Sequence, residues 1–268
     1  MKLQRIFIGT IATASATIAE GTRRQSCPNI HVFGARETTA PPGFGSASTV
    51  VDLIKQANSG ATSESIIYPA AGGNVYAASV TAGVAAVANQ TKTFSQMCPE
   101  SKIVMVGYSQ GAQIVDDAFC GGPDGTSLNT TAPSISSGVG KMVAAIILMG
   151  DPRHVDGLPF NVGNATAGGF AARPVGFQCS AFENIIQAYC DAPDPFCAKG
   201  NSSATHQGYG REYGQAALAF VQSKLDATQK ASSNGTNIVA TSEAAALRLS
   251  GEYMTALLVL AASFISPY

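Results

Sequence analysis

Short apolar runs alternate with longer segments of helical periodicity along most of this chain. Four apolar runs are typical of buried strands: Ile30–Phe33, Ile66–Tyr68, Ile103–Val106 and Val143–Met149. Four segments carry apolar residues at helical spacing: Ser46–Ala57, Val75–Met97, Ala112–Phe119 and Tyr209–Leu225. Strands that alternate with helices imply a mostly parallel sheet covered on both faces. We therefore predict a three-layer α/β fold with a central, mostly parallel sheet.

One predicted strand ends in a sequence typical of a catalytic serine. Ile103–Val106 leads into Gly107-Tyr-Ser109-Gln-Gly111, and a helical segment follows directly. In such a nucleophile elbow the serine lies on a sharp strand-to-helix turn, and the flanking glycines let neighbouring backbone approach closely. We predict that Ser109 is a nucleophile, exposed above the edge of the sheet.

A serine nucleophile needs a histidine that takes its proton and a carboxylate that orients the histidine. The chain has three histidines. In α/β hydrolases the order along the chain is serine, acid, histidine, which excludes His31 and leaves His154 and His206. We favour His206 because it lies in a loop just before the last predicted helix. His154 follows a core strand directly and is interpreted as a surface or turn residue.

Three aspartates qualify as the orienting acid. Asp191 and Asp194 lie between Cys190 and Cys197, where a disulfide would fix the position of the loop that carries the acid. Asp151 follows a predicted strand and is a third candidate. The residue pattern alone leaves these three alternatives open.

Acyl transfer by a serine nucleophile also needs hydrogen-bond donors that stabilise the developing oxyanion. The backbone N–H of the residue after the nucleophile is one such donor, and here that residue is Gln110. A second donor is expected in the loop after an early strand, where Glu37–Thr39 offers both amides and hydroxyls.

Composition limits the class of protein. The 268 residues are 46% hydrophobic and 12% charged, which suits one substantial core. The net charge of −1 and the absence of any lysine or arginine run argue against nucleic-acid partners. We predict that Asp116 and Asp117, on the helix after the elbow, form a solvated face.

The two ends of the chain differ from the middle. Residues 1–25 have a basic start, a short apolar stretch and small residues, which predicts a secretory signal peptide followed by a short pro-segment. The dibasic pair Arg23-Arg24 predicts a second cleavage that leaves a mature start near Gln25 or Ser26. Residues 227–268 are rich in Ser, Thr and Ala and end in an apolar stretch, which is typical of a glycolipid (GPI) anchor signal with Ser242 as a candidate attachment site. The alternative for this tail is a docking C-terminal helix. We expect a catalytic domain over 26–226 in a secreted, extracellular protein anchored at the cell surface.

Cysteines and sequons agree with export. Six cysteines predict three disulfides rather than a metal site, because no paired C-x-x-C spacing occurs: Cys27, Cys98, Cys120, Cys179, Cys190 and Cys197. Five N-x-[ST] sequons are candidate glycosylation sites: Asn89, Asn129, Asn164, Asn201 and Asn234. No metal or other cofactor is expected.

Several motifs in order resemble the cutinase and acetylxylan esterase family (carbohydrate esterase family 5), and are most similar to the acetylxylan esterases. The resemblance spans about Ser26 to Leu225. Its motifs are Ser26-Cys-Pro with Ile30-His-Val-Phe-Gly-Ala-Arg-Glu-Thr-Thr39, Gly107-Tyr-Ser-Gln-Gly111, Gly150-Asp-Pro152, the Cys190 to Cys197 loop and His206-Gln-Gly-Tyr-Gly210. The resemblance implies an α/β-hydrolase-like (cutinase-like) fold.

The resemblance also implies residue roles. Ser109 would be the nucleophile, Asp194 the orienting acid and His206 the general base and acid. Thr38 and Gln110 would form the oxyanion hole. The implied disulfides are Cys27–Cys98, Cys120–Cys179 and Cys190–Cys197. Family members often carry a further disulfide in the loop after Tyr68-Pro-Ala70, and residues 71–74 have no cysteine here, so we expect the loops lining the site to differ.

We therefore expect a secreted serine esterase that hydrolyses O-acetyl esters of xylan through an acyl-enzyme on Ser109, without a cofactor. The alternative is a cutinase-type hydrolase of cutin or short aliphatic esters. Such an enzyme should expose aliphatic side chains around Ser109, and residues 152–169 contain apolar candidates: Val155, Leu158, Pro159 and Phe160. A third reading is a non-catalytic, wall-anchored binding protein, but the chain retains all three triad residue types.

The expected partners follow from this function. The substrate would be an acetylated polysaccharide or a polyester. Nucleic acid is not expected as a partner, and membrane attachment would come only through the C-terminal lipid. We expect the enzyme to be a monomer.

Overall fold

A parallel sheet forms the centre of the molecule. The computed structural model describes residues 26–123, 134–228 and 230, and within these ranges it contains six strands: β1 (Ile30–Ala35), β2 (Thr62–Ser65), β3 (Lys102–Tyr108), β4 (Val143–Met149), β5 (Asn161–Val162) and β6 (Ile186–Tyr189). Their order across the sheet is β2-β1-β3-β4-β6-β5, and every neighbouring pair is parallel.

Helices cover both faces of this sheet. The described helices are α1 (Ser48–Ala57), α2 (Tyr76–Met97), α3 (Gln110–Cys120), α4 (Ser137–Gly140), α5 (Ser203–His206) and α6 (209–228). Apolar residues of α2 and α3 pack with one face of the sheet, and those of α1 and α6 pack with the other. The prediction of a three-layer α/β fold is confirmed.

The central strand β3 shows why one sheet supports two cores. Ile103 and Met105 belong to the core under α2 and α3, whereas Val104 and Val106 belong to the core under α1 and α6. Successive side chains of a strand point to opposite faces, so a strand covered on both faces is apolar throughout. The prediction of this strand from a continuous apolar run is therefore confirmed.

Two features of the sheet differ from the prediction. The second strand is Thr62–Ser65, just before the predicted Ile66–Tyr68, and β5 and β6 were not predicted. β2 is a polar edge strand whose position is set by pairing with β1 rather than by burial of its side chains. Such a strand leaves no hydrophobic signal, and β5 is only two residues long.

The predicted solvated face at Asp116 and Asp117 is wrong. Both aspartates are buried and paired with arginines from the segment after β4. Nε of Arg153 lies 2.8 Å from Oδ1 of Asp117, and Nε of Arg173 lies 2.9 Å from Oδ2 of Asp116. Both arginines also donate to the carbonyl of Gly121, directly after α3. The network ties the elbow helix to the segment after β4.

Three disulfides are present, at the pairs that the resemblance implies: Cys27–Cys98, Cys120–Cys179 and Cys190–Cys197. The first joins the start of the described chain to the end of α2, and the second joins the end of α3 to the loop before β6. The third closes a short loop directly after β6. That loop carries two of the three candidate acids.

The elbow glycines leave no room for a side chain. A Cβ atom at Gly107 would lie 2.6 Å from the Cα of Ala112, and one at Gly111 would overlap the carbonyl of Ala35 on β1. Each glycine therefore lets α3 lie close to the sheet, and both close approaches involve backbone that cannot rotate away.

We expect Gly111→Ala to lower the free energy of unfolding by about 2 kcal/mol or more, because backbone must shift to admit the methyl group. Gly138→Ala in α4 is the matched control, since a Cβ there meets nothing within 4 Å. The control should change stability by less than about 1 kcal/mol, in the stabilising direction. Denaturant titration of both variants measures the difference, and equal midpoints would contradict the steric argument.

His31 on β1 gives the fold a pH dependence. Its ring is 5% exposed, stacks on Phe94 at 4.0 Å and places Nδ1 2.7 Å from the hydroxyl of Thr62. Burial lowers the pKa of His31 to about 4. Because the unfolded chain takes up this proton at higher pH, the stabilisation is complete above pH 6.5 and declines as the pH falls towards 4.

Between pH 6.5 and pH 4, protonation linked to His31 should lower the free energy of unfolding by at most roughly 3 kcal/mol. Urea unfolding of the wild type at pH 7 and pH 4.5 measures it. His31→Phe keeps a ring on Phe94 but cannot titrate, so its stability should fall less between the two pH values. Buried His154 acts in the same direction in both proteins. An identical slope for the two proteins would refute the assignment to His31.

Candidate active site

Ser109 lies between β3 and α3 in a backbone conformation that non-glycine residues rarely adopt, with φ 54° and ψ −121°. Gly107 and Gly111 permit this turn, because a side chain at either position would overlap neighbouring backbone. The side chain is recessed, with 8% exposure, and lines a cavity. The elbow is where the sequence predicts it, but the expectation that Ser109 stands exposed is wrong.

His206 contacts the nucleophile directly. Its Nε2 lies 2.9 Å from Oγ of Ser109. His206 is the last residue of the short helix α5 rather than part of a loop. Its carbonyl accepts a 2.6 Å hydrogen bond from the hydroxyl of Tyr108. Its ring packs closely on Gly150, because a Cβ atom added to that glycine would lie 2.8 Å from Cε1 of His206. The backbone of His206 is therefore fixed by Tyr108, and its ring lies close against Gly150.

Asp194 completes a chain of hydrogen bonds. Its Oδ2 lies 2.7 Å from Nδ1 of His206 and accepts a 2.8 Å hydrogen bond from the hydroxyl of Tyr209. Its Oδ1 accepts from the backbone N–H groups of Phe196 and Cys197, at 2.6 and 3.1 Å. Four donors thus surround one fully buried carboxylate.

These contacts decide the ionisation of Asp194. Burial acts to raise its pKa, but the hydrogen bond and charge of His206, with the donors of Phe196 and Tyr209, outweigh burial and lower it. Asp194 is therefore ionised at neutral pH. A carboxylate at this position fixes the tautomer in which Nδ1 of His206 carries the proton and Nε2 faces the serine.

The two other candidate acids have different partners. Asp191 accepts from the hydroxyl of Tyr213 at 3.0 Å and from the N–H of Asn164 at 3.2 Å. Asp151 accepts from the N–H of Arg153 at 2.9 Å, and burial raises its pKa well above the usual range. Of the three candidates, the structure brings Asp194 to His206.

His154 is not a surface residue. It is 4% exposed, and its N–H donates to the carbonyl of Asp151 in the turn after β4. Burial lowers its pKa. The interpretation as a turn residue agrees with this position, whereas the interpretation as a surface residue is wrong.

The predicted oxyanion donors flank the serine at the carboxyl ends of β1 and β3. Gln110 is the first residue of α3, so its N–H is one of the free donors at a helix N-terminus. Thr38 follows β1 and lines the same cavity as Ser109. The direction of the chain's crossovers reverses between β1 and β3, and ligands of open α/β sheets bind in the crevice at such a point.

The cavity over Ser109 has a volume of about 960 Å³ and a mixed lining. Its polar side chains are those of Glu37, Thr38, Thr39, Ser46, Asn74 and Gln207. Aromatic rings complete the lining. The ring centroids of Tyr76 and Phe170 are 5.5 Å apart, and those of Phe196 and His206 are 4.5 Å apart. Phe170 and Phe196 are each 40% exposed. A cavity of this size and lining suits an organic substrate.

The segment 152–169 does not supply exposed aliphatic side chains to this cavity. Val155 and Phe160 are buried, at 6% and 8% exposure, and Leu158 packs against the core. Pro159 is exposed but does not line this cavity. The expectation that these residues surround Ser109 is wrong. The exposed large apolar side chains at the cavity are instead the rings of Phe170 and Phe196.

Sequence reasoning gave no role to two tyrosines that hold the site. The hydroxyl of Tyr108 anchors the backbone of His206, and that of Tyr209 anchors Asp194. Their signal in the sequence is position: Tyr108 directly precedes the serine, and Tyr209 follows the histidine by three residues. Neither spacing shows by itself what the hydroxyl contacts.

Other site predictions concern metals, membranes and glycans. In the part of the chain that the structure describes, no group of three or more His, Cys, Asp or Glu side chains could hold a metal ion. None of the described helices combines the length and apolar character needed to cross a membrane. Asn89, Asn164 and Asn201 are exposed. Asn129, Asn234, the predicted signal peptide and nearly all of the predicted tail lie outside the described residues.

Comparison with known proteins places these features in a family. A family model described as Cutinase matches residues 26–225. Cutinase 11 of Verticillium dahliae is 54% identical over 220 residues, which are 80% of this chain and 73% of that protein. An acetylxylan esterase of Hypocrea jecorina is 51% identical over 222 residues, again 80% and 73% of the two chains.

A solved structure agrees with the sequence relatives. The catalytic core domain of acetyl xylan esterase from Trichoderma reesei is 52% identical and superposes with a TM-score of 0.71. The match covers 74% of this chain and all of that one. The family-model match, over residues 26–225, includes all six described strands and the site residues described above.

Proposed function

This chain belongs to the cutinase family and is a carboxylic ester hydrolase, and we propose that it is a secreted serine esterase that removes O-acetyl groups from xylan through an acyl-enzyme on Ser109. The observation that carries the proposal is the continuous hydrogen-bonded chain from Ser109 through His206 to Asp194. An alcohol, an imidazole and a buried carboxylate in this order are the parts that nucleophilic acyl transfer requires.

The reaction proceeds in two halves. His206 Nε2 takes the proton of Ser109 Oγ as the oxygen attacks the ester carbonyl, and then gives that proton to the leaving sugar hydroxyl. An acetylated serine remains. Water then attacks the acetyl group with His206 again as base, which releases acetate and restores the serine. Asp194 keeps the imidazole oriented and stabilises its positive charge in both halves.

Oxyanion stabilisation is assigned to Thr38 and to the backbone N–H of Gln110. The N-terminus of α3 places a free amide and the positive end of the helix dipole beside Ser109. Thr38 lies across the cavity crevice on the loop after β1. β1 and β3 are adjacent and parallel, so donors that follow their carboxyl ends can converge on one carbonyl oxygen held at Ser109.

The cavity lining supports a sugar ester. Hydroxyl, amide and carboxylate side chains line it, including Glu37, Ser46 and Asn74, and such groups can pair with sugar hydroxyls. The curated relative from Hypocrea jecorina and the solved structure from Trichoderma reesei are both named acetylxylan esterases. Acetylated xylan is therefore the substrate we propose.

Hydrolysis of cutin or short aliphatic esters is the second candidate. The exposed rings of Phe170 and Phe196 at the cavity favour it, since they offer apolar contact to an acyl chain or polyester. The relative from Verticillium dahliae is named a cutinase. The burial of Val155 and Phe160 favours the sugar ester instead.

Initial rates on a series of esters separate the two functions. We expect release of acetate from acetylated xylan, and a kcat/KM for 4-nitrophenyl acetate at least about tenfold above that for the butyrate, because a pocket fitted to an acetyl group excludes extra methylenes. The octanoate ester and a cutin suspension complete the series. A preference for acyl chains of four or more carbons would favour the cutinase assignment.

We also propose a domain organisation and location. Residues 26–226 would form the catalytic domain, 1–25 a signal peptide with a short pro-segment, and 227–268 a tail processed to a lipid anchor. The three disulfides support export, because such bonds persist in oxidising compartments. Mass analysis of the mature protein, for both termini and attached lipid, tests these boundaries. Intact termini would contradict them.

A further inference from the structure

We propose that Ser79 is a positioning residue for the oxyanion hole, because its hydroxyl joins the side chain of Gln110 to the loop that supports Thr38. The inference rests on the proposed function, in which Thr38 and Gln110 stabilise the oxyanion. Ser79 does not reach the reacting atoms and acts through these two residues.

Ser79 belongs to a closed ring of three hydrogen bonds. It lies in the first turn of α2 and is 2% exposed. Its hydroxyl donates to Oε1 of Gln110 at 2.9 Å and accepts from the N–H of Ala71 at 2.9 Å. The ring closes where Nε2 of Gln110 donates to the carbonyl of Ala71 at 3.0 Å. Both ends of the Gln110 amide and both backbone groups of Ala71 are thereby satisfied.

The loop held by this ring supports the other donor. The N–H of Thr39 donates to the carbonyl of Ala70 at 2.7 Å. A Cβ at Gly72 would lie 2.9 Å from Cγ2 of Thr38, so the loop backbone packs directly against that side chain. The segment from Ala70 to Gly72 is therefore the surface on which the oxyanion loop rests.

The two residues that join these loops, Thr39 and Ala70, both have a strained backbone conformation. Thr39 has φ 63° and Ala70 has φ 51°, in the left-handed region that disfavours side chains. Strained residues persist only where their surroundings hold them. Residues 70–74 contain no cysteine, and the hydrogen bonds of Ser79 and Gln110 to Ala71 constrain this loop together with the bond from Thr39 to Ala70.

The ring couples the two oxyanion donors. Gln110 supplies its backbone N–H to one side of the hole, while its side chain fixes the loop behind Thr38 on the other side. Loss of the Ser79 hydroxyl removes this partner from Oε1 of the fully buried Gln110 and from the N–H of the partly buried Ala71. Displacements of about 0.5 Å in a catalytic group are enough to reduce rate.

The test is the kinetics of Ser79→Ala on 4-nitrophenyl acetate. We expect kcat to fall about tenfold, less than the loss of a whole oxyanion donor, with KM changed less than about twofold. Affinity for phenylboronic acid, whose tetrahedral adduct on Ser109 places an oxygen in the hole, should fall by the same factor as kcat/KM. A purely structural role would lower thermal stability without this parallel loss.

Matched variants separate the two cases. Ser95→Ala removes another buried hydroxyl of α2, one that donates to the carbonyl of Lys92 away from the cavity, and should leave kcat unchanged. Ser79→Thr keeps a hydroxyl and should restore most of the rate. Gln110→Met removes the two hydrogen bonds of the Gln110 side chain and leaves Ser79 unaltered. If Ser79→Ala does not fold, this variant should show the same tenfold loss in kcat.

The outcomes are distinct. A tenfold loss in kcat that boronate affinity follows, absent from Ser95→Ala, supports the inference. Wild-type kcat in Ser79→Ala, or in Gln110→Met where the alanine variant does not fold, overturns it while leaving the proposed function intact. A wild-type protein that neither hydrolyses esters nor binds phenylboronic acid overturns both.

Discussion

Ser109→Ala is expected to reduce kcat for acetyl ester hydrolysis by about 10⁵-fold or more, to the level of residual catalysis by the remaining site. The methyl group cannot attack a carbonyl, and His206 then has no hydroxyl to deprotonate. Stability should change little, because Oγ makes its hydrogen bond to His206 at the cavity floor rather than within the core.

The measurement combines rate with covalent labelling. A phosphonate ester should attach one equivalent to the wild type at Ser109 and none to the alanine variant, by peptide mass. Ser223→Ala is the control, because this serine is exposed on α6 and donates to the carbonyl of Phe220, away from the cavity. Undiminished turnover in Ser109→Ala, with a normal unfolding transition, would show that another group is the nucleophile.

The centre of the sheet could be predicted from sequence because its signal is local. β3 and β4 are buried on both faces, so each is a continuous apolar run that ends where the sheet ends. The elbow adds Gly107 and Gly111, where glycine is required because neighbouring backbone leaves no room for a Cβ atom. Strand, turn and helix here follow from one continuous stretch of sequence, Lys102 to Cys120.

Other parts depend on contacts distant in sequence. β2 forms because β1 offers backbone hydrogen bonds, and its polar residues carry no hydrophobic pattern. Asp116 and Asp117 are buried because Arg153 and Arg173 arrive from a later segment. A helical reading of α3 alone makes these aspartates a solvated face, since nothing local shows that their partners exist.

The candidate site divides in the same way. Chain order excludes His31, and position in the chain favours His206 over His154. The residue pattern does not decide among Asp151, Asp191 and Asp194, and only the family resemblance implies Asp194. The reason is geometric, because residues three positions apart in a disulfide-closed loop can point to opposite sides. In the structure the carboxylate of Asp194 bonds His206, and that of Asp191 bonds Tyr213.

Asp194→Asn is expected to lower kcat/KM by about 10⁴-fold while leaving the fold intact. The amide has the shape of the carboxylate but no charge, so it cannot stabilise an imidazolium. Its NH₂ group can also face Nδ1 and favour the tautomer that places a proton on Nε2, which then cannot act as base.

The neighbouring aspartate supplies the control. Asp191→Asn removes a carboxylate from the same Cys190–Cys197 loop and disturbs its bond with Tyr213, but not the triad. Its kcat/KM should stay within about threefold of wild type, because surface hydrogen bonds away from the reacting groups contribute little to the barrier. Equal losses in the two variants would mean that the loop needs both charges for its shape.

The converse result would move the acid elsewhere. A large loss in Asp191→Asn with near-normal rates in Asp194→Asn would require His206 to turn towards Tyr213 in the working enzyme. The four donors around Asp194 oppose that movement, since they hold its carboxylate ionised and in place against Nδ1 of His206. The expected order of activities is therefore wild type, then Asp191→Asn close below, then Asp194→Asn lower by orders of magnitude.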